Sequence, residues 1–324
     1  MLRFLIRRLL YAVLVLVVIS FVVFVIFFVL NGGTPQEQAG RFCGKGCGPL
    51  QLQATVARLH LDRPWPQQYG TYLWHLVQGD LGVDFSNNVS VLSEITARLP
   101  VSISVAIGAA VIWLIIGIPT GILAATKPRS FRDRAATVFA LTFYSIPTFV
   151  LGLLMLLVFY YLLTIKANIR WFYGGGYTPI TENPLTWAHK LILPWFDLAL
   201  VYAAAYARIT RGSMLDVLGE DYIRTARAKG LSERKVVYKH GLRSALTPVV
   251  TILGVDLGIL LAGTVITEKI FTLPGVGAFT LEAITSGNLP VISAVTLLLA
   301  VFVVLANLTV DILYAVLDPR VRLS

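Results

Sequence analysis

Charged residues are scarce in this chain. Of its 324 residues, 14% are charged and 56% are hydrophobic, and the mean hydropathy is +0.76. So few charges cannot cover the surface of a soluble protein of this length, which excludes a water-soluble globular fold. We therefore expect an all-α integral membrane protein, in which apolar helices cross the bilayer.

Cysteine is nearly absent as well. The two cysteines, Cys43 and Cys47, both lie in the sequence CGKGC. We predict that they form a small disulfide ring, because the glycines between them allow it and because this segment is expected outside the cell. Two free thiols are the alternative. A metal site is less favoured, since neither His60 nor His75 lies at a zinc-ligand spacing from the cysteines.

Motifs for catalysis and for nucleotide binding are missing. The nearest string to a phosphate-binding loop, GRFCGK at 40–45, has too few residues between its glycines and no Ser or Thr after the lysine. The sequence also lacks an HExxH pair and a GxSxG elbow. We expect no enzyme, and we assign no catalytic, cofactor-binding or metal-binding residue.

Long apolar runs are abundant, and they define the expected fold. Six of them approach or exceed the roughly 20 residues that cross a hydrocarbon core as a helix. The first is longer than the apolar core of an export signal and is not followed by an A-x-A cleavage site, so we expect it to persist as an anchored helix. The six predicted spans are residues 9–30, 101–126, 135–165, 191–207, 246–267 and 291–317.

The basic residues orient these spans. Three lie before the first span, four in the turn at 127–134, nine in the loop at 208–243 and two in the last residues, and all four regions fall on one side of the membrane. By the positive-inside rule that side is the cytoplasm, so both termini should be cytoplasmic. The net charge of +10 is then explained by anionic membrane lipid and requires no nucleic acid.

Four segments follow from this topology. They are an N-terminal segment with the first span (1–30), a large extracellular loop region (31–100), a five-helix core with a cytoplasmic region at 208–245 (101–317), and a cytoplasmic tail (318–324). The loop is too long for a simple connector, and its residues 91–99 have the apolar spacing of a short helix lying along the bilayer. Its aromatic residues either anchor to the membrane interface or face a partner protein. These aromatic residues are Trp65, Tyr69, Tyr72 and Trp74.

The hydrophilic segment at 221–248 interrupts two apolar spans. Acidic residues begin a predicted helix that runs through Lys229, Gly230 ends it, and Ser232 caps the next helix. Ala226 and Ala228 keep one side slim, which suits close approach to a groove in another protein. An ordinary basic cytoplasmic loop is the alternative.

Three positions within the spans are candidates for a transport pathway or gate. Pro147, which follows Ser145 in the sequence SIPTF, removes a helix hydrogen bond and either flexes as a gate or makes a static kink. Asp256 either lines the pathway, where it would favour cationic groups of a substrate, or makes a structural hydrogen bond to a neighbouring helix. Asp197 is expected to reach the outer interface, and Asp311 to be structural.

Several strings resemble one transporter family. Residues 221–231 read DYIRTARAKGL and residues 240–250 read HGLRSALTPVV, which closely resembles the EAA coupling motif of ATP-binding-cassette (ABC) importer permeases. The peptide subgroup of these permeases is resembled by RITRGSMLDVLGEDY, SIPTFVLGLL, TEKIFTLPGVG and NLTVDILYAVLDPRVR. Its B-type oligopeptide and dipeptide subunits are resembled by LDRPWPQQY and GDLG. Residues 33–59 are the least similar, so no role for CGKGC comes from the resemblance.

The resemblance implies a type I ABC importer permease fold in a bacterial cell membrane. It implies that this chain is half of a pore for dipeptides or oligopeptides, and that a second homologous permease, two ATP-binding subunits and an extracellular peptide-binding protein complete the transporter. ATP and Mg²⁺ would then be bound by the ATP-binding subunits. The residues implied to couple to them are Asp221, Tyr222, Arg224, Thr225, Ala226, Ala228, Lys229, Gly230 and Leu231.

The resembling string at 267–277 is expected on the outer side. There a rigid turn approaches the binding protein or caps the pore, or it is a plain interhelical loop. The candidate residues are Glu268, Phe271, Pro274, Gly275 and Gly277.

A proton-coupled secondary transporter, a passive channel and an ABC pore for nickel or another cargo are the alternative functions. Scattered acids argue against the proton-coupled carrier, which normally has clustered ones.

Overall fold

The structure is a computed structural model that describes residues 2–30, 32–44, 46–169 and 171–317; side-chain surroundings are described for these except residues 2–5, 261–263 and 310–317. Helices dominate the described chain, and six of them are long and apolar enough to cross a membrane, as the sequence predicts. The spans are Ile6–Val29, Val91–Thr126, Thr148–Lys166, Pro184–Leu218, Glu233–Leu260 and Leu289–Thr309.

The first span forms one unit with the three helices that follow it, which we call the outer region after their predicted side of the membrane. Helix α1 (Leu2–Phe24) continues as a π-helical turn (Val25–Val29) and is followed by α2 (Pro35–Cys43), α3 (Pro49–Leu59) and α4 (Trp65–Val77). Phe24 and Phe28 of the first span are buried against residues of these three helices. The outer region is therefore packed onto the end of the first span.

The aromatic residues of α4 divide into two pairs. Tyr69 and Tyr72 pack their rings on Phe24, at centroid distances of 5.3 and 5.7 Å. Trp65 and Trp74 are 54% and 62% exposed. The tyrosines therefore belong to the packing of this region, and only the tryptophans remain available to the membrane interface or a partner.

A small hairpin connects the outer region to the core. Strands β1 (Val83–Asp84) and β2 (Val89–Ser90) are antiparallel, and Val83 pairs with Ser90. The amide of Asn288 donates a 2.6 Å hydrogen bond to Asp84 Oδ1, which attaches the hairpin to the last helices.

Helix α5 (Val91–Thr126) is longer than predicted, because residues 91–99 continue directly into the second span. The prediction of a separate helix lying along the bilayer is wrong. Val91 and Ile95 are buried against Val276, Phe279 and other residues near the C-terminal end of the chain, so this segment packs on protein.

Helices α5 and α8 (Pro184–Leu218) form the centre of the core. They approach closely at Gly117 and Gly121, where a Cβ atom would overlap Tyr206 and Thr210 of α8, respectively. Small residues four apart allow such close contact. Beside them the buried ring of Trp113 stacks on Tyr202 at 4.7 Å.

The third predicted span is broken at Pro147. Helix α6 (Phe131–Ser145) ends before this proline, and α7 (Thr148–Met155) begins after it and continues as a π-helical stretch (Leu156–Lys166). Pro147 has non-helical backbone angles (φ −58°, ψ 138°) and precedes the first turn of α7, where a missing N–H costs no helix hydrogen bond. The proline therefore separates two helices, whereas a kink within one continuous helix was expected.

The remaining helices complete the core. After α8 come α9 (Asp221–Ala228), α10 (Glu233–Lys235), a π-helical stretch (Val236–Gly241) and α11 (Leu242–Gly263). They are followed by two short helices, α12 (Val265–Ile270) and α13 (Val276–Ser286), and by α14 (Leu289–Leu317). Asp311 is not among the residues whose side-chain surroundings the structure describes, so its structural role stays a prediction.

Candidate functional site

The site that the sequence predicts on the cytoplasmic side is built on the short helix α9. It begins after Glu220, and Asp221 in its first turn places a negative charge near the positive end of the helix dipole. Gly230 follows with φ of 76°, the left-handed conformation that closes a helix. The prediction that Gly230 ends this helix is confirmed. A Cβ atom at Gly230 would meet no other atom within 4 Å, so backbone conformation alone requires the glycine.

One face of α9 packs on its own protein. Ile223 is fully buried and Ala226 is 8% exposed, and both belong to one buried cluster with Val236, the first residue of the π-helical stretch after α10. The expectation that Ala226 faces a partner is therefore wrong, because this small side chain lets α9 pack closely on the chain itself. Leu231 packs against the same cluster.

The opposite face of α9 is open. Tyr222 is 45% exposed, and Thr225 and Ala228 are also exposed. The charged coupling candidates Asp221, Arg224 and Lys229 are exposed as well. A partner that docks on α9 must therefore bind this outward face.

A side-chain pair braces the bend after α9. The guanidinium of Arg227 donates to both carboxylate oxygens of Glu233, at 3.2 and 2.8 Å. Two parallel hydrogen bonds fix the relative direction of α9 and α10 more firmly than a single contact. The sequence does not predict this pair. The predicted cap at Ser232 is wrong, because its side chain makes no capping hydrogen bond.

A buried carboxylate organises the second site, which the sequence predicts on the outer side. Glu268 on α12 is 0% exposed, and its Oε1 accepts hydrogen bonds from Ser102 at 2.6 Å and from Thr264 at 2.9 Å. Its Oε2 accepts from the backbone N–H of Ala278 at 2.9 Å. Burial raises the pKa of the Glu268 carboxyl, while these donors oppose that shift. Glu268 is thus a connection between α5, α12 and α13.

The turn around Glu268 requires its glycines. A Cβ atom at Gly275 would overlap the Glu268 carboxylate, and one at Gly277 would overlap the backbone of Val265. Phe271 is fully buried beside them, whereas Pro274 is exposed. Direct contact of Glu268 or Phe271 with a receptor is contradicted by their burial. Of the five outer candidates, only Pro274 is on the surface.

A second buried carboxylate contacts the same short helix. Asp197 of α8 is 0% exposed, and its Oδ2 accepts a 2.9 Å hydrogen bond from the hydroxyl of Thr267. The prediction that Asp197 reaches the membrane interface is wrong, because α8 directs it inward against Gly152 of α7 and against α12. Thr267 and Glu268 are adjacent, so α12 is held from two sides by carboxylate contacts.

The pathway candidates lie in different environments. Asp256 is half-buried, and its Oδ2 accepts a 2.9 Å hydrogen bond from the hydroxyl of Tyr206 on α8. The hydrogen bond to a neighbouring helix, one of the two predicted alternatives for Asp256, is therefore present. Part of the Asp256 side chain nevertheless stays accessible. Ser145 and Pro147 are exposed at the break between α6 and α7. The structure does not bring these three residues into one contact cluster.

The cysteines lie at the end of α2 and in the turn that follows. The sulfur atoms of Cys43 and Cys47 are in contact and their Cα atoms are 5.8 Å apart, within the usual range for a disulfide. Within the described part of the chain, no group of three His, Cys, Asp or Glu side chains is placed to hold a metal ion.

An ion pair that the sequence does not predict joins α6 to the fourth span, α8. Arg211 of α8 donates to both oxygens of the buried Asp133 of α6, at 2.6 and 3.0 Å. These hydrogen bonds, with one from the backbone N–H of Arg129, lower the pKa of Asp133. No local pattern in the sequence identifies a pair that is separated by 78 positions.

Six helices long and apolar enough to span a membrane, with the short braced helix α9 between two of them, are the architecture of a multi-pass membrane subunit. Residues 117–323 match the family described as "Binding-protein-dependent transport system inner membrane component", and residues 1–106 match the N-terminal family of the same membrane components. The chain belongs to this family. It is therefore a multi-pass protein of the bacterial inner membrane.

Known relatives cover the whole chain. It is 36% identical over 351 residues to the dipeptide transport system permease protein DppB of Escherichia coli (strain K12), covering 99% of both chains. It is 38% identical over 325 residues to the oligopeptide transport system permease protein AppB of Bacillus subtilis (strain 168), covering 99% of this chain and 100% of the relative.

A solved structure shares the fold. It is described as an inward-facing conformation of the MetNI methionine ABC transporter, and the TM-score is 0.53 at 19% identity, covering 70% of this chain and 97% of the other. The type I ABC importer permease fold predicted from the sequence is confirmed.

Proposed function

We propose that this chain forms half of the translocation pathway of an ATP-driven importer of dipeptides or oligopeptides. The proposal is supported by the full-length similarity to permeases named for dipeptide and oligopeptide transport. The structural observation that carries the proposed coupling is α9, which is anchored through Ile223, braced through Arg227 and open on the face that contains Tyr222.

The geometry suits transmission of force. A docking helix can move the bundle only if it does not yield when a partner pushes on it. Because α9 follows α8 directly and precedes α11, displacement of α9 moves two spanning helices together. ATP and Mg²⁺ are bound by two partner subunits in this proposal, and this chain supplies the docking surface.

The outer side would receive the substrate from an extracellular binding protein. Exposed Trp65, Trp74 and Pro274 offer apolar contacts there. A second, homologous permease subunit completes the pathway.

Transport by the assembled complex tests the proposal. The chain is reconstituted in proteoliposomes with its second permease, ATP-binding subunits and binding protein, and uptake of labelled dipeptides and longer peptides is measured. We expect uptake that requires ATP and survives collapse of the proton gradient. Uptake that requires the proton gradient but no ATP, or uptake of nickel in place of peptides, would contradict it.

Cross-linking tests the docking surface separately. Single cysteines replace Tyr222, Ala228 or Ala226. The native Cys43 and Cys47 lie on the opposite side of the membrane in the predicted orientation, so they are not expected to react with a partner of α9. We expect Tyr222→Cys and Ala228→Cys to cross-link to an ATP-binding subunit and the inward-facing Ala226→Cys to do so poorly. Equal capture at all three positions, or at none, would mean that α9 does not dock by its outer face.

A further inference from the structure

The helices α6, α7 and α8 leave a lateral groove between them. Its inner part lies between α6 and α8 and has a volume of about 200 Å³; it is lined mainly by small residues, together with Leu141, Tyr144, Arg208 and Arg211. Its outer part has a volume of about 520 Å³ and is lined only by apolar residues, among them Phe143, Leu154 and Leu200. Cavities of about 300–1,000 Å³ are of the size that binds small ligands.

The two parts follow one another along the same helices. Tyr144 lines the inner part, and its neighbour Phe143 lines the outer part. On α8, Ala204 of the inner part is about one helical turn from Leu200 of the outer part. The groove therefore changes along its length from a cationic cytoplasmic end to a wholly apolar middle.

The two arginines at the inner end of the groove differ in whether an acidic side chain neutralises them. The carboxylate of Asp133 is already engaged by Arg211 through two hydrogen bonds. Arg208 is exposed and lies over the ring of Tyr144, 4.7 Å from its centroid, and it forms no ion pair within the described residues. The adjoining residues 127–134 add four more basic residues. An anion is the complementary ligand for this end.

The apolar part restricts the kind of anion. A peptide in this part would leave its backbone N–H and C=O groups without hydrogen-bond partners, which is costly. A free inorganic anion would leave the apolar volume unused. Several of the lining residues are exposed on the membrane-spanning surface, including Leu154 and Val158, which are 46% and 41% exposed, so an acyl chain can enter from the side.

We propose that this groove binds an anionic phospholipid of the cytoplasmic leaflet. The phosphate of its headgroup pairs with Arg208, and one acyl chain occupies the apolar part beside Leu154. Basic pockets between spanning helices on the cytoplasmic side are suited to anionic headgroups. The lipid would support the packing of α6 and α7 on α8, next to the break at Pro147.

Lipid retention by the assembled transporter tests this proposal. The complex is purified from nanodiscs that contain equal amounts of phosphatidylglycerol and phosphatidylethanolamine, and bound lipid is measured by native mass spectrometry. We expect the wild-type complex to retain phosphatidylglycerol preferentially. Arg208→Gln should lower retention about tenfold, the effect of removing one strong charge-assisted contact. Leu154→Trp should lower the retention of phosphatidylglycerol to a similar degree, because the larger side chain fills the apolar part while the headgroup site at Arg208 is unchanged.

Matched controls separate the alternatives. Arg132→Gln removes one exposed charge near the same membrane surface without altering the lining of the groove. Equal loss in Arg132→Gln and Arg208→Gln would overturn the proposal in favour of a general basic surface. Release of the lipid by soluble glycerol phosphate, with no effect of Leu154→Trp, would indicate a phosphate site only. Retention of no lipid, together with a cross-link from Leu154→Cys to the second permease, would show that protein covers the groove.

Discussion

The hydroxyl of Ser102 donates a 2.6 Å hydrogen bond to Oε1 of Glu268, and thereby joins the second span to α12 across 166 positions of sequence. The same hydroxyl accepts a 2.9 Å hydrogen bond from the backbone N–H of Val276. Ser102 therefore connects both sides of the turn that contains Pro274. Because all of these groups are buried, the loss of any one leaves a partner unsatisfied.

Removal of the Ser102 hydroxyl should destabilise the protein. Ser102→Ala leaves Glu268 without one donor and Val276 without its acceptor, which costs about 1–3 kcal/mol of unfolding free energy. Thermal unfolding of the detergent-solubilised protein measures this change. The control is Glu282→Gln, since Glu282 is exposed and forms only a 3.6 Å pair with Lys269. It should stay within about 0.5 kcal/mol of wild type. Equal stability of the two variants would refute the structural role of the Ser102 contact.

Gly230 should be required for coupling. Gly230→Val forces a β-branched residue into the left-handed conformation at a cost of roughly 1–2 kcal/mol, so the bend after α9 is displaced. We expect normal membrane insertion but loss of ATPase association or of transport-dependent ATP turnover, measured on the reconstituted complex.

Gly287 provides a matched control for this substitution. It ends α13 with φ of 70°, and a Cβ atom there also meets nothing within 4 Å. Gly287→Val is therefore strained to the same degree, but it lies far along the chain from α9. It should retain coupling in folded protein. If Gly230→Val keeps both ATPase association and stimulated turnover, α9 is not the docking point.

Local chemistry explains which features the sequence predicts. The spans follow from apolar runs, and the left-handed turn at Gly230 follows from a glycine after a helical segment, so both depend on neighbouring residues only. The fold and the family are also predicted from the sequence, through the resemblance to permeases that the two matching families confirm. These features were predicted, although helix ends differed; for example, α8 continues to Leu218, well beyond the apolar run that ends at 207.

Contacts between distant segments explain what the sequence does not reveal. The inward directions of Asp197 and Glu268 depend on where α12 packs, and α12 is positioned by contacts with α5, α8 and α13. Similarly, the side of α9 that Ala226 occupies is fixed by Val236 beyond the bend. Neither arrangement can be predicted from residue type and spacing alone.

The pair between Arg227 and Glu233 should stiffen the coupling element. Both side chains are partly exposed, so Arg227→Gln should cost no more than about 1 kcal/mol of stability. We nevertheless expect weaker stimulation of ATP turnover by transport, because α9 can then change direction relative to α10. Arg234→Gln removes an equal charge from α10, on the other side of the same bend, and is the control. The double exchange Arg227→Glu with Glu233→Arg should restore coupling; if it does not, the pair has no bracing role.

The pair between Asp133 and Arg211 should give a defined dependence on pH. The pKa of Asp133 is lowered from its ordinary value of 3.8, so its stabilising contribution is fully present above that value and is lost as the pH falls through the lower folded value. Wild-type protein and Asp133→Asn should therefore differ most in unfolding temperature at neutral pH. Their difference should shrink in acid, below about pH 4. A difference that stays constant throughout this range would contradict the assignment.

Asp256 can be tested apart from its hydrogen-bond partner. Asp256→Asn removes the negative charge, whereas Tyr206→Phe removes only the hydroxyl that donates to Asp256 Oδ2 at 2.9 Å. If the accessible part of Asp256 meets the substrate, Asp256→Asn should weaken uptake of cationic peptides by roughly fivefold to tenfold relative to neutral ones. Tyr206→Phe should leave this selectivity unchanged, because the carboxylate remains. Competition between lysine-containing and neutral peptides in proteoliposomes measures it. If selectivity is unchanged in a normally assembled Asp256→Asn complex, Asp256 does not contact the substrate, and its role is the structural hydrogen bond to Tyr206 of α8.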